Sequence, residues 1–218
     1  MDLIGLVAVY LYVFILIILS EKVLSRYPVL SRKILHIMVG NILFILPFFE
    51  NRYIMAFLAA APFIPLTFLM SPYSPLKIKS KASSAGHGLG LVYYSISWTL
   101  LAYVFFNDKF LIAIGIVAMS YGDGFASLFG TKFGRRKYKI FGDEKSIEGS
   151  LSMFFAIIFF GAIAMLYYNF FEGIQSILLL IFISFFATVV EGITPKGLDN
   201  LTVSLTASIL CYGIKCAL

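Results

Sequence analysis

Apolar residues run along this chain in long blocks, and polar residues are confined to short gaps between them. Eight blocks approach or reach the ~17–25 residues that a helix needs to cross a bilayer. They are residues 3–19, 34–49, 53–70, 89–106, 110–129, 151–168, 174–190 and 201–218. The pattern predicts an all-α, polytopic integral membrane protein with about eight transmembrane helices. The second block is short and contains His36, Asn41 and Pro47. The third contains Pro62 and Pro65, where a kink or break is expected, because proline removes a backbone donor and clashes with the preceding turn. The first block has no basic segment before it and no small-x-small site after it, so it reads as a retained helix rather than a cleaved signal. There is no internal repeat, and no gap exceeds ~20 residues. Residues 1–218 therefore read as a single integral membrane domain.

Composition agrees: 61% of residues are hydrophobic, 13% are charged and the mean hydropathy is +0.95. A soluble domain of this size needs more polar surface. The net charge of +6 would suggest nucleic acid in a soluble protein. Here its distribution points to membrane orientation instead, and no nucleic-acid partner is expected. The odd-numbered connections hold Lys22, Arg26, Arg32 and Lys33, then Lys77, Lys79 and Lys81, then Lys132, Arg135, Arg136, Lys137, Lys139 and Lys145, then Lys196. The even connections and the tail hold only Arg52, Lys109 and Lys215. The positive-inside rule puts the odd connections in the cytoplasm and both termini on the other side. Cys211 and Cys216 point to different faces of one helix, which argues against a disulfide or a metal pair.

The chemistry concentrates in residues 120–150, SYGDGFASLFGTKFGRRKYKIFGDEKSIEGS. Asp123 lies ~21 Å along the fifth block at 1.5 Å per residue, just below the cytoplasmic surface. An ionisable group at that depth is costly and is a functional candidate by default. His36, Glu148, Glu191, Asp199 and Asn200 fall at the same level, although Lys and Arg alone set the topology. Asp123 with Glu191 or Asp199 suits Mg²⁺, which takes a few carboxylates plus phosphate oxygens and water. Lys145 and the run Arg135, Arg136, Lys137 suit phosphate neutralisation. Ser146 sits at a helix start, where backbone N–H groups and the helix dipole cradle anions. Gly122, Gly124, Gly130 and Gly134 let backbone approach a ligand. Each feature also has a plainer reading. The basic run is an ordinary topology signal, Ser146, Asp199 and Asn200 are plain helix caps, and His36 is structural. There is no P-loop string, and GHGLG at 86–90 is not a dinucleotide fingerprint.

Four stretches resemble the CTP-dependent lipid-alcohol kinases, the family of phytol kinase, dolichol or polyprenol kinase and CTP-dependent diacylglycerol kinase. They are Arg32-Lys33-Ile34-Leu35-His36, Gly122-Asp123-Gly124 continuing to Gly130 and Phe133-Gly134-Arg135, Lys145-Ser146-Ile147-Glu148-Gly149-Ser150, and Glu191 followed by Leu198-Asp199-Asn200-Leu201-Thr202-Val203. They occur in the family's order over nearly the whole chain. Ser204 departs from the usual proline, and residues 88–94 only loosely match the plant phytol kinase stretch.

The resemblance implies transfer of the γ-phosphate of CTP to the hydroxyl of a lipid alcohol, with Mg²⁺ as cofactor and CTP as phosphate donor. Asp123, Lys145, Glu148 and Asp199 would be catalytic. Lys33, His36, Gly122, Gly124, Gly130, Gly134, Arg135, Ser146, Gly149 and Asn200 would form the nucleotide site. Asp123, Glu191 and Asp199 would hold metal. The partners would be a polyprenol, dolichol or phytol-type alcohol, the nucleotide and membrane lipids. The protein would lie in a cell membrane, or in an endoplasmic reticulum or plastid membrane, with a cytoplasmic active site. The competing readings are a CTP:phosphatidate cytidylyltransferase, whose C-terminal acidic signature is missing here, and a transporter, in which ionisable groups gather near the midplane rather than at one surface.

Overall fold

The structure is a computed structural model that describes residues 1–23, 26–75, 88–141, 143–195 and 197–217. Lys77, Lys79, Lys81, Lys196 and the start of the GHGLG segment lie outside the described residues. Every apolar block of the sequence coincides with helix. α1 is Asp2–Ile18, α2 Pro28–Val39, α3 Phe63–Leu69, α4 Gly90–Val104, α5 Lys109–Ile116, α6 Asp123–Phe133, α7 Ile147–Tyr167, α8 Ile174–Ile193 and α9 Asp199–Ala217. The two blocks marked by proline are irregular. After α2 the chain tightens into 3₁₀ turns at Gly40–Phe44 and Leu46–Phe48. Before α3 it runs as a wide π-helical segment, Ile54–Ala60, and breaks at Pro62. Among the described residues, Lys109–Phe133, Ile147–Tyr167 and Ile174–Ile193 are long and apolar enough to cross a membrane.

One continuous rod organises the bundle. α5 passes through a π-helical turn, Val117–Gly122, directly into α6. Its middle is closed off on all sides: Ile112, Ala113, Ile114, Val117, Ala118 and Met119 have no exposed surface. α7 and α8 instead turn Phe155, Phe159, Leu178 and Phe185 outward. Such a broad apolar exterior fits a lipid surround, because a soluble surface does not carry it. A π-turn inserts an extra residue into the helical register, and such turns often mark functional sites. Here it sets the angle at which Asp123, the first residue of α6, leaves the packed core.

The charged residues sort to the two ends of the bundle. At one end, the Met1 ammonium lies 3.2 Å from Glu50 and Asp2 accepts from the backbone of Glu50 and Asn51. Arg52 meets Asn107 and Lys215 meets Asp108 at that same end. The acids and bases of the GD and KSxEGS stretches gather at the other.

The all-α expectation misses one element. Between α6 and α7 the chain forms an antiparallel hairpin, β1 Lys137–Ile140 and β2 Asp143–Ser146, with Tyr138 opposite Lys145 and Lys139 opposite Glu144. Phe141 takes a left-handed φ of 51° at its tip. The hairpin is anchored from outside itself. Tyr138 bonds Ser150 at 2.7 Å, and Lys145 reaches the end of α8. Two short strands alone are barely stable in water.

Candidate active site

α2, α6, the hairpin, the first turns of α7 and α9, the last turn of α8 and the start of α4 surround a cavity of about 440 Å³. Asp123 enters it from α6, and Ser127, Gly130 and Thr131 follow on the same helical face at one-turn and two-turn spacing. Asp123 Oδ2 lies 3.3 Å from His36 Nε2, which also contacts the Met119 carbonyl at 2.9 Å. The His36 ring stands edge-on to Tyr94 at 5.1 Å. Tyr94 in turn bonds Ser120 in the π-turn at 2.6 Å. His36 is therefore held by groups from two other helices and points at the carboxylate.

The tertiary fold brings three acids together from three helices. Asp123, Glu191 and Asp199 each offer a carboxylate oxygen, and these oxygens lie within 4.8 Å of one another. Lys145 Nζ sits against them, 2.6 Å from Glu191 Oε1 and 3.8 Å from Asp199 Oδ2. It also donates to the Glu191 carbonyl. Burial disfavours the Lys145 ammonium, but Glu191 and then Asp199 outweigh that effect and hold its pKa above the usual lysine range. Three hard oxygen donors of this kind could hold a divalent cation such as Mg²⁺, whose remaining positions phosphate oxygens and water complete.

Three further cations line the cavity differently: Lys137 pairs with Glu144 at 3.0 Å on the hairpin, and Lys33 and Arg32 come from α2. Lys33 Nζ donates to the Ser127 carbonyl at 2.7 Å and to Thr131 Oγ1 at 2.6 Å, so it ties α2 to α6. Arg32 lines the cavity too, within the field of Asp123 and Asp199. Among the described residues its guanidinium makes no hydrogen bond or ion pair, so its donors remain available. Ser146 is the N-cap of α7 and accepts from the Gly149 amide at 3.1 Å, which leaves its hydroxyl proton to donate. Asn200 bonds the Gly90 carbonyl at 2.9 Å, and its buried Oδ1 has no partner among the described residues.

Of the residues named from sequence, Lys33, His36, Asp123, Gly124, Gly130, Lys137, Lys145, Ser146, Gly149, Glu191, Asp199 and Asn200 line the cavity. Glu148, Arg135, Gly122 and Gly134 do not. Glu148 is half-buried, and its carboxylate accepts from the backbone N–H groups of Arg135 and Arg136 at 3.1–3.3 Å. It braces the chain between α6 and the hairpin. The Arg135 side chain is exposed beside it. Gly122 is buried, where a Cβ would come 2.9 Å from Ile157, and Gly134 packs against Gly130 and Ser146. These two glycines serve helix packing. The sequence reading left out Arg32, Ser127 and Thr131 as site residues. The helical period counted from Asp123 was the available signal for the last two.

The fold and this site define a helical membrane protein with an acidic cluster and basic groups around a glycine-lined cavity at one end of its bundle. The chain is 32% identical to phytol kinase of Synechocystis sp. over 223 residues, covering 96% of the chain and 90% of that protein. It is 33% identical to the chloroplastic phytol kinase 1 of Arabidopsis thaliana over 222 residues, covering 90% of the chain and 71% of that protein. Against a probable chloroplastic phytol kinase of Triticum aestivum the identity is 30%, over 89% of the chain and 70% of that protein. The chain belongs to the lipid-alcohol kinase family that contains the phytol kinases. No family model and no solved structure matches it.

Proposed function

We propose that this kinase transfers the terminal phosphoryl group of CTP to the hydroxyl of a phytol-like isoprenoid alcohol, with Mg²⁺ held by Asp123, Glu191 and Asp199. The observation that carries the reading is the meeting of those three carboxylates from three separate helices within 4.8 Å, beside Lys145. A metal there would neutralise and align phosphate oxygens. Phosphoryl transfer needs positioning and charge neutralisation more than covalent help. Among the described residues Arg32 is a cavity cation with no hydrogen bond or ion pair, so it binds the phosphate chain. The Ser146 hydroxyl and the first amides of α7 face the same space and add donors at a helix N-terminus. His36 fixes the orientation of the Asp123 carboxylate. Lys33 positions α6 rather than touching the nucleotide. The choice of a phytol-like acceptor follows the names of the relatives. The choice of CTP follows the resemblance of the four sequence stretches.

The same reading places about eight helices across the membrane, with both termini outside and the cavity open to the cytoplasm. The nucleotide then arrives from water, and the alcohol from the leaflet at the same level. The test uses purified protein in detergent with Mg²⁺, γ-labelled CTP or ATP, and a panel of phytol, geranylgeraniol, dolichol and diacylglycerol. Label in phytol or geranylgeraniol with stoichiometric CDP is expected. Pyrophosphate released when phosphatidate is added would show cytidylyl transfer instead, and label from ATP alone would overturn the donor.

A further inference from the structure

Lys145 occupies the place of the cluster's counter-ion. Its Nζ engages Glu191 Oε1 at 2.6 Å, approaches Asp199 Oδ2 at 3.8 Å and takes the Glu191 carbonyl as well. A divalent ion shared by Asp123, Glu191 and Asp199 would need carboxylate oxygens from that same group, at about 2.0–2.6 Å. The ammonium and a metal therefore compete for Glu191. The lysine is built to leave. It sits on β2, opposite Tyr138, its side chain keeps 15% exposure, and four rotatable carbons carry the charge. Ser146 and Gly149, on the cavity wall beside it, border the space where an anionic ligand fits.

We propose that Lys145 is a resident counter-ion which the carboxylate cluster exchanges for a divalent metal when a nucleotide arrives to receive the displaced ammonium. The inference rests on the metal-dependent kinase reading and adds a regulation to it. Without a cation, three carboxylates this close repel one another, so the lysine holds the empty site together. Displacing it without an anion to meet it would strand a partly buried charge, which is costly. Metal and nucleotide therefore bind with positive coupling, and each tightens the other by the same factor.

The test is an EPR titration of Mn²⁺ into the full chain in detergent, with and without β,γ-methylene-CTP, for wild type, K145M, K145Q and K145R. In wild type, the analogue is expected to tighten Mn²⁺ binding by about tenfold or more. K145M and K145Q should bind Mn²⁺ without analogue about tenfold more tightly than wild type, and gain little from it. K145R keeps a cation and should behave like wild type. Thermal melts identify the variants that fold, and either neutral variant suffices. Equal Mn²⁺ affinity of wild type and a folded neutral variant, without analogue, would overturn the exchange. If no protein binds Mn²⁺ under either condition, the metal reading of the site falls and the exchange falls with it.

Discussion

Asp123 joins two arrangements at once, contacting His36 at 3.3 Å and sharing the carboxylate cluster with Glu191 and Asp199. Asp123→Asn keeps the shape and removes the charge. Turnover should fall by about 10²-fold or more while the melting temperature stays close to wild type. Adjacent Arg32 and Lys33 should separate cleanly. Arg32→Gln should lower kcat/KM for the nucleotide by about 10–100-fold, since each lost charge-assisted contact is worth ~1.5–3 kcal/mol. Lys33→Met should chiefly lower stability, by about 1–3 kcal/mol, because it removes the two bonds that tie α2 to the Ser127 carbonyl and the Thr131 hydroxyl of α6. Melting curves and nucleotide titrations on the same preparations distinguish the two. At this scale the sequence was informative about residue type but not about commitment. It placed both cations near a helix start, and only the fold shows that one is already engaged and the other is not.

Among the elements, the seam between α6 and α7 decides how narrow the site is. A Cβ on Gly149 would come 2.9 Å from the Ala126 carbonyl and 3.2 Å from Gly130 Cα. Gly149→Val must push the helices apart, at a cost of about 1–3 kcal/mol, and should widen the cavity enough to raise the nucleotide KM. Thermal melting and steady-state kinetics check both parts. Glu148 acts on this element too. Glu148→Gln should weaken the brace on Arg135 and Arg136 and raise KM more than it lowers kcat, whereas a group touching the reacting atoms would lower kcat itself. The helices were legible because each apolar block is long. The hairpin was not. Lys137–Ile140 and Asp143–Ser146 are four residues each, rich in charge, and they are anchored at Ser150 and at Glu191, the latter 46 residues beyond Lys145.

The whole molecule has two polar ends and one apolar girdle. Single cysteines at Arg52 and Lys139, with Cys211 and Cys216 replaced by alanine, test the proposed orientation. A membrane-impermeant maleimide should label Arg52→Cys in intact cells and Lys139→Cys only after permeabilisation. The reverse pattern would invert the protein and put the cavity outside. The sequence by itself determined the helical membrane class, the number of apolar blocks and the level at which the polar groups lie. Those properties depend on composition and on the one-dimensional spacing of charge along a chain that must satisfy its backbone within lipid. The kinase family followed from four short stretches in their order. The tertiary structure alone decided which polar groups meet. Glu148 and Arg135 belong to the same stretches as Lys145 and Gly130, yet they lie off the cavity: the ~100° step of the helix turns Glu148 away from its neighbour Gly149 on α7, and Arg135 lies beyond the end of α6. Asp123, Glu191 and Asp199 are separated by up to 76 residues. Their convergence, with Lys145 held among them, exists only once α6, α8 and α9 have packed around one end of the bundle.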